Sequence, residues 1–325
     1  MQLTTTFLTT GLLAATTVLG YAPSHVVARA KAGAASPGCG QTPLVQPGNW
    51  QDGKTPQGRE YRIWVPKSYD QGTPAPVVLS YHGASGNIDK RVKEDRLSDT
   101  KFNTDHIVVY LQGARREPDN PKSTMWQGAP GAPDDDIAFT RDVLDAVEAG
   151  LCVDRTRIYA TGHSQGGGFV GRLACDGQMS SRIAAFAPVS GAFYDTSVDD
   201  QAQCHPLSLQ SACAPSRSDV AVLELHGGDD DTISFHGGFR KGACLPTIRH
   251  WAKDWARRDN LDLNDAVSKI KGTRNGRRYQ YGGGLVTLVY AGDDVGHVWM
   301  SKDAGNAEIE ASQLVMDFFR KYSLK

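Results

Sequence analysis

The chain has 325 residues, a formal net charge of −1 at pH 7 and 40% hydrophobic residues. That length and apolar content fit one large α/β domain of roughly 250–300 residues. The near-neutral balance excludes the charge excess that marks nucleic-acid binders and membrane-surface proteins, so neither partner is expected.

The chain opens on a short apolar run, Phe7 to Leu19, diluted by threonines. It is too short and too polar to span a bilayer. It reads as a secretory signal peptide, and residues 1–30 are assigned to that leader and a short pro-segment. Small residues between Tyr21 and Ala35 offer several cleavage points and leave the choice open. One domain is expected over 37–325, in an extracellular protein. The six cysteines, Cys39, Cys152, Cys175, Cys204, Cys213 and Cys244, form no CxxC pair. An even count behind a leader favours three disulfides over a metal or redox site. There is no Asn-x-Ser/Thr acceptor, so no N-glycan is expected.

Residues 37–58 are rich in Pro, Gly and Gln and read as irregular. Strands are expected at 61–65, 77–81 and 107–111, the last two as continuous apolar runs buried on both faces. Residues 87–100 are helix-compatible, and 113–133 form a Pro/Gly-rich loop carrying Trp126. The acidic run Asp134, Asp135, Asp136 precedes Ile137, Val143, Leu144 and Val147, spaced for an amphipathic helix. Such a run caps free N–H groups and suits the helix dipole, and is read that way in preference to calcium binding. Further strands are expected at 157–160, 183–189, 220–225 and 285–290, with helices at 169–175, 246–258 and 306–321. Strands alternating with helices argue for a single α/β domain, a mostly parallel sheet covered on both sides.

The chemistry centres on Thr161-Gly162-His163-Ser164-Gln165-Gly166-Gly167-Gly168. Gly-x-Ser-x-Gly between an apolar strand and a helix is the nucleophile elbow. It lifts the Ser164 hydroxyl clear of the sheet and turns the Gln165 N–H toward a developing oxyanion. A serine nucleophile needs a base, and the base needs an orienting acid. In open α/β sheets such groups lie at the carboxyl ends of strands. Asp229, Asp230 and Asp231 follow the 220–225 strand, and His297 follows the last one. The order Ser164, Asp, His297 is that of the α/β-hydrolases. Spacing alone leaves the three aspartates open. His82, His163 and His226 read as turn or supporting residues, not as the base. The loop after 77–81 should supply the second oxyanion N–H, from Ala84 or, as runner-up, Ser85.

The segments 81–87, 158–168, 187–193 and 296–299 together resemble the secreted fungal feruloyl esterases. That carbohydrate-esterase group also holds acetylxylan esterases and is related to polyhydroxybutyrate depolymerases. The resemblance runs from about Cys39 to the C-terminal helix. It implies an α/β-hydrolase fold and a Ser164–Asp–His297 triad. The group's acid loop reads His-Gly-x-x-Asp-x-x-Val/Ile-Pro-Tyr, which puts the acid at Asp230 with Ile233 in register. Ser234 and Phe235 depart from the usual Pro-Tyr. The implied activity is hydrolysis of hydroxycinnamoyl esters on plant arabinoxylan through an acyl-enzyme, with no metal or cofactor. Trp126, Phe193, Tyr194, Phe235 and Trp299 are candidates to wall a phenolic pocket. The alternatives are an acetylxylan esterase or polyester depolymerase with the same triad, and a non-catalytic carbohydrate-binding protein on a hydrolase fold.

Disulfide connectivity is argued from layout. A strand of six or so residues rises about 20 Å and a ten-residue helix descends about 15 Å, which brings Cys152 and Cys175 to one edge. Cys204 and Cys213 share a loop and are expected to pair. Cys39 with Cys244 follows by elimination.

Overall fold

The computed structural model describes residues 34–117, 119–132 and 135–325. The leader expected over 1–30 lies outside these residues. The strands are β1 (Trp50–Lys54), β2 (Glu60–Trp64), β3 (Ala75–Tyr81), β4 (Ile107–Leu111), β5 (Ala114–Arg115), β6 (Thr124–Met125), β7 (Val153–His163), β8 (Ala185–Val189), β9 (Ala221–His226), β10 (Gly238–Arg240), β11 (Ala243–Leu245), β12 (Ala266–Lys269), β13 (Arg277–Tyr281) and β14 (Val286–Tyr290). The helices are α1 (Ile88–Asp95), α2 (Asp136–Gly150), α3 (Gln165–Cys175), α4 (Gly177–Arg182), α5 (Ile248–Arg258) and α6 (Ala311–Phe319).

Ten strands form one sheet in the order β1-β2-β4-β3-β7-β8-β9-β14-β13-β12. The run from β4 to β14 is parallel throughout. Antiparallel pairs finish each edge, β1 and β2 on one side, β13 and β12 on the other. The central strands are buried along their length, as parallel strands covered on both faces must be. Alternate β3 residues feed two cores. Val77, Leu79 and Tyr81 pack with α2, α3 and α5, and Val78 packs on the opposite face with α1 and α6. This is the three-layer α/β-hydrolase arrangement, and β7, β9 and β14 point their carboxyl ends at one rim.

The central strands and the longer helices fall where the sequence puts them, while the short α4 and the two-stranded ladders β5–β6 and β10–β11 were not expected. The edges differ. β1 lies inside the stretch 37–58 read as irregular, and β12 and β13 carried no signal. Both outer strands, β1 and β12, are almost wholly exposed, so neither needs the apolar alternation that betrays a half-buried strand. Of the acidic run before α2, Asp136 stands in the first turn, as the dipole argument expects, but the expected side-chain cap is missing among the described residues, and Asp135 makes none. Asp136 is buried, accepts the Gln127 N–H at 2.6 Å and pairs with Arg59 at 2.5 Å, tying the 113–133 loop to the helix.

The three disulfides join Cys39 to Cys152, Cys175 to Cys213 and Cys204 to Cys244. None of the expected pairs, Cys152–Cys175, Cys204–Cys213 and Cys39–Cys244, forms. The difference lies at β7. It is 11 residues long and bulged, so that seven residues of β3 run beside it from Val153 to Gly162. Seven residues rise about 23 Å, whereas the 11 residues of α3 descend only about 16 Å and lie a layer away. Cys175 therefore stops short of Cys152. The incoming N-terminal segment reaches it instead, held by Gly38 N–H on the Glu148 carbonyl at 2.9 Å and Ser36 Oγ on that of Leu151 at 2.6 Å. Cys175 meets the returning loop, where the Ala214 N–H donates to its carbonyl at 3.1 Å. Cys204 is drawn to β11, beside which the Thr247 N–H donates to the Pro206 carbonyl at 2.9 Å.

Candidate active site

Ser164 stands between β7 and α3 with φ 57° and ψ −119°, a strained conformation for a residue with a side chain. Its neighbours make room. A Cβ on Gly162 would lie 2.5 Å from the Gly166 carbonyl, and one on Gly166 would lie 2.5 Å from the carbonyl oxygens of Tyr81 and His82. Backbone contacts hold the turn, with the Ser164 N–H on Val189 at 3.0 Å and the Ser164 carbonyl taking N–H groups from Gly168 at 2.9 Å and Ala192 at 3.0 Å.

His297 follows β14 and reaches both partners. Its Nε2 lies 2.8 Å from Ser164 Oγ, and its Nδ1 lies 2.7 Å from Asp230 Oδ2. Asp230 is buried, and its Oδ1 accepts the N–H groups of Ile233 at 2.7 Å and Thr232 at 3.0 Å. Against the opposing effect of burial, hydrogen bonds from His226, His297 and the Ile233 N–H hold its carboxyl well below the usual range. Asp229 and Asp231 are exposed, and the carboxylate that the His297 ring meets is that of Asp230.

Three further histidines surround this chain of contacts. His226 is fully buried, with Nδ1 2.7 Å from Glu224 Oε1 and Nε2 2.8 Å from the Ile233 carbonyl and 3.3 Å from Asp230 Oδ2. Both ring nitrogens face acceptors. Burial works against the charged ring, but Asp230 and Glu224 raise it to about 9. His82 is the opposite case. Its Nδ1 faces the Gly83 carbonyl at 2.7 Å, while its Nε2 receives N–H groups from Gly113 at 2.9 Å and Gln112 at 3.0 Å. That geometry needs a neutral ring, and burial brings it down to about 4. His163 packs its ring 5.0 Å from that of His297 and sets Nδ1 3.0 Å from Glu94.

Of the two candidates for the second oxyanion donor, Ser85 is excluded because its N–H is spent on the Thr124 carbonyl at 2.8 Å. Ala84 borders the same cavity as Ser164, and Gln165 opens α3, where first-turn N–H groups have no helical partner.

Two cavities flank the turn. One of about 630 Å³ contains Ser164, His297 and Trp299. The other, about 390 Å³, is lined by Gln165, Phe169, Phe193, Tyr194 and Trp251. Phe193 and Trp251 stack with centroids 3.8 Å apart. Two candidates for a pocket wall fall away. Trp126 is fully buried between Tyr81 and Phe169, with its N–H on the His82 carbonyl at 2.7 Å. Phe235 packs edge-on against His226 and Tyr290 and borders neither cavity. Trp251, Glu224 and Glu94, the partner of His163, were missed. Each is placed by a neighbouring element, and nothing in its local sequence announces it.

No family model matches the chain. It is 29% identical over 254 residues to "Probable feruloyl esterase C" of Aspergillus niger, which covers 73% of this chain and 82% of that protein. It is 25% identical over 316 residues to feruloyl esterase D of Neurospora crassa, with 90% and 92% covered. An acetyl xylan esterase from Aspergillus awamori superposes with a TM-score of 0.57 at 16% identity, covering 84% of this chain and 99% of that one. The chain is thus similar in sequence to fungal feruloyl esterases and shares its fold with α/β-hydrolase esterases.

Proposed function

We propose that the protein is a secreted serine esterase that hydrolyses hydroxycinnamoyl esters of plant cell-wall polysaccharide. One observation carries this reading: the unbroken contact from Ser164 Oγ through His297 to the buried Asp230, at 2.8 and 2.7 Å. In this reading residues 37–325 are the esterase domain and 1–30 are the removed leader. The three disulfides suit an oxidising compartment.

Asp230 fixes the His297 tautomer, with Nδ1–H donated to the carboxylate and Nε2 free to accept the Ser164 proton. The alkoxide attacks the ester carbonyl, and the N–H groups of Gln165 and Ala84 take the oxyanion. His297 then returns the proton to the departing sugar alcohol, and water repeats the cycle on the acyl-enzyme. The ring-lined cavity beside Gln165 favours an aryl acyl group over acetate, because stacked Phe193 and Trp251 offer a flat apolar wall.

The test is a panel of methyl ferulate, acetylated xylan and polyhydroxybutyrate, together with organophosphate labelling. Methyl ferulate is the expected substrate and Ser164 the labelled residue. Ser164→Ala should lose on the order of 10⁶-fold in turnover while keeping the fold. Cleavage of acetylated xylan alone would reassign the acyl group. An unlabelled, inert protein would favour a binding role instead.

A further inference from the structure

Of the two cavities that flank the turn, the larger is lined by Ser164 and by more charged side chains, and the ring-lined one meets the turn at Gln165. His297 stands in the larger one, and the acid that protonates a leaving alcohol must reach that oxygen. We therefore assign the alcohol half of the ester to the larger cavity and the acyl half to the ring-lined one, which meets the turn at Gln165. This assignment rests on the esterase reading above.

The wall of the alcohol side is α1, which contributes Lys90, Arg91, Lys93 and Glu94, with Arg96 and Asp303 beyond it. Most of these charges are already committed. Arg91 is buried against Asp95 at 3.1 Å and Glu94 at 2.9 Å. Arg96 is paired with Asp99 at 2.7 Å and Asp303 at 2.6 Å. Glu94 also takes His163, and His163 and Arg91 hold its carboxyl well below the usual range against the opposing effect of burial. Lys90 and Lys93 are exposed, and among the described residues neither enters an ion pair. They stand three residues apart, so they share a helix face. The cavity that holds Ser164 and His297 thus carries two exposed ammonium groups that enter no ion pair among the described residues.

We propose that the alcohol subsite recognises an anionic sugar, a uronate, through Lys90 and Lys93. Two ammonium groups at a cleft rim raise the local concentration of a carboxylate-bearing substrate, and each exposed pair adds a modest factor. The combined preference should be about five- to tenfold in kcat/KM at low salt.

The experiment compares 2-O-feruloyl galacturonate with 2-O-feruloyl galactose, which differ by one carboxylate. Wild type should prefer the uronate at about 10 mM salt, and the ratio should approach one at about 0.5 M, where the screening length shrinks to a few ångströms. The double variant Lys90→Gln, Lys93→Gln should bring the ratio near one. The double Lys→Arg variant should keep it, and the double Lys→Glu variant should invert it. Calorimetric binding of both esters to Ser164→Ala gives the same ratio without turnover. Equal affinity of the two esters for Ser164→Ala, or a preference that survives in the Gln double variant, would overturn the proposal. Failure of wild type to cleave methyl ferulate would overturn the esterase reading, and leave the binding ratio to decide this one.

Discussion

Asp230 and His82 show opposite uses of burial. Asp230 keeps its charge under cover because its two oxygens together face four donors: the rings of His297 and His226 and the N–H groups of Thr232 and Ile233. Asp230→Asn should cost roughly 10⁴-fold in turnover, by letting His297 take the wrong tautomer. Asp229→Asn and Asp231→Asn should change turnover little, since both side chains are exposed and Asp230 holds the His297 ring. A pre-steady-state comparison of the three variants on methyl ferulate checks this, and a larger loss at either neighbour moves the acid. His82 needs to stay neutral, because a second ring proton would meet the N–H groups of Gly113 and Gln112. Its folded pKa of about 4 lies below the unfolded value, so its stabilising share is complete above about pH 6.5 and is lost as pH falls toward 4. That share amounts to about 3 kcal/mol. Urea melts at pH 7 and pH 4.5 should show the loss in wild type. His82→Gln, which retains an acceptor but does not titrate, should show a visibly smaller one.

At the scale of elements, the elbow depends on how closely α3 is drawn under the loop after β8. A Cβ on Gly168 would lie 2.1 Å from the Ala192 carbonyl oxygen, and the Ala192 N–H is one of the bonds that hold Ser164 in place. Gly168→Ala should therefore lower both the melting temperature and kcat. Overpacking of about 1–3 kcal/mol corresponds to a fall of several degrees in a domain of this size. Gly177→Ala is the control, because its nearest neighbour is 3.5 Å away and alanine suits the start of α4. A melting temperature equal to wild type in Gly168→Ala would show that the loop yields. The same scale decides what could be read from sequence. β3, β4, β8 and β9 are buried from end to end, so their apolar runs announced them. β1 and β12 face solvent and left no pattern. Ser164 and His297 were legible because strand ends and a glycine-rich turn leave marks in the chain. Asp230 needed the resemblance to separate it from its two neighbours. Glu224 under His226, His163 against Glu94 and Trp251 against Phe193 were not legible, because each pair depends on how two elements face one another.

For the whole molecule, the disulfides carry the long-range organisation that local patterns do not encode. Cys175–Cys213 and Cys204–Cys244 span 38 and 40 residues and fasten the loops beside the ring-lined cavity. Cys39–Cys152 spans 113 residues and clamps the N-terminal segment beneath β7, at the edge away from Ser164. Chain entropy ranks the three by loop length, at about 5 kcal/mol for the longest and about 4 for each of the others. The double variant Cys39→Ser, Cys152→Ser should therefore lose the most stability of the three pairwise removals. Part of the loss should be buffered, because Ser36 and Gly38 still hold the segment through hydrogen bonds at 2.6 and 2.9 Å. Its folded fraction should keep wild-type turnover, since nothing in the Ser164–His297–Asp230 chain touches that edge. Removing Cys175–Cys213 should act differently. Cys175 closes α3 and borders the ring-lined cavity, so KM for an aryl ester should rise even where stability falls less. Non-reducing peptide mapping comes first and should recover Cys39 with Cys152, Cys175 with Cys213 and Cys204 with Cys244. Recovery of Cys152 with Cys175 would mean that β7 and α3 run to equal depth. The bulged register between β3 and β7 would then be wrong.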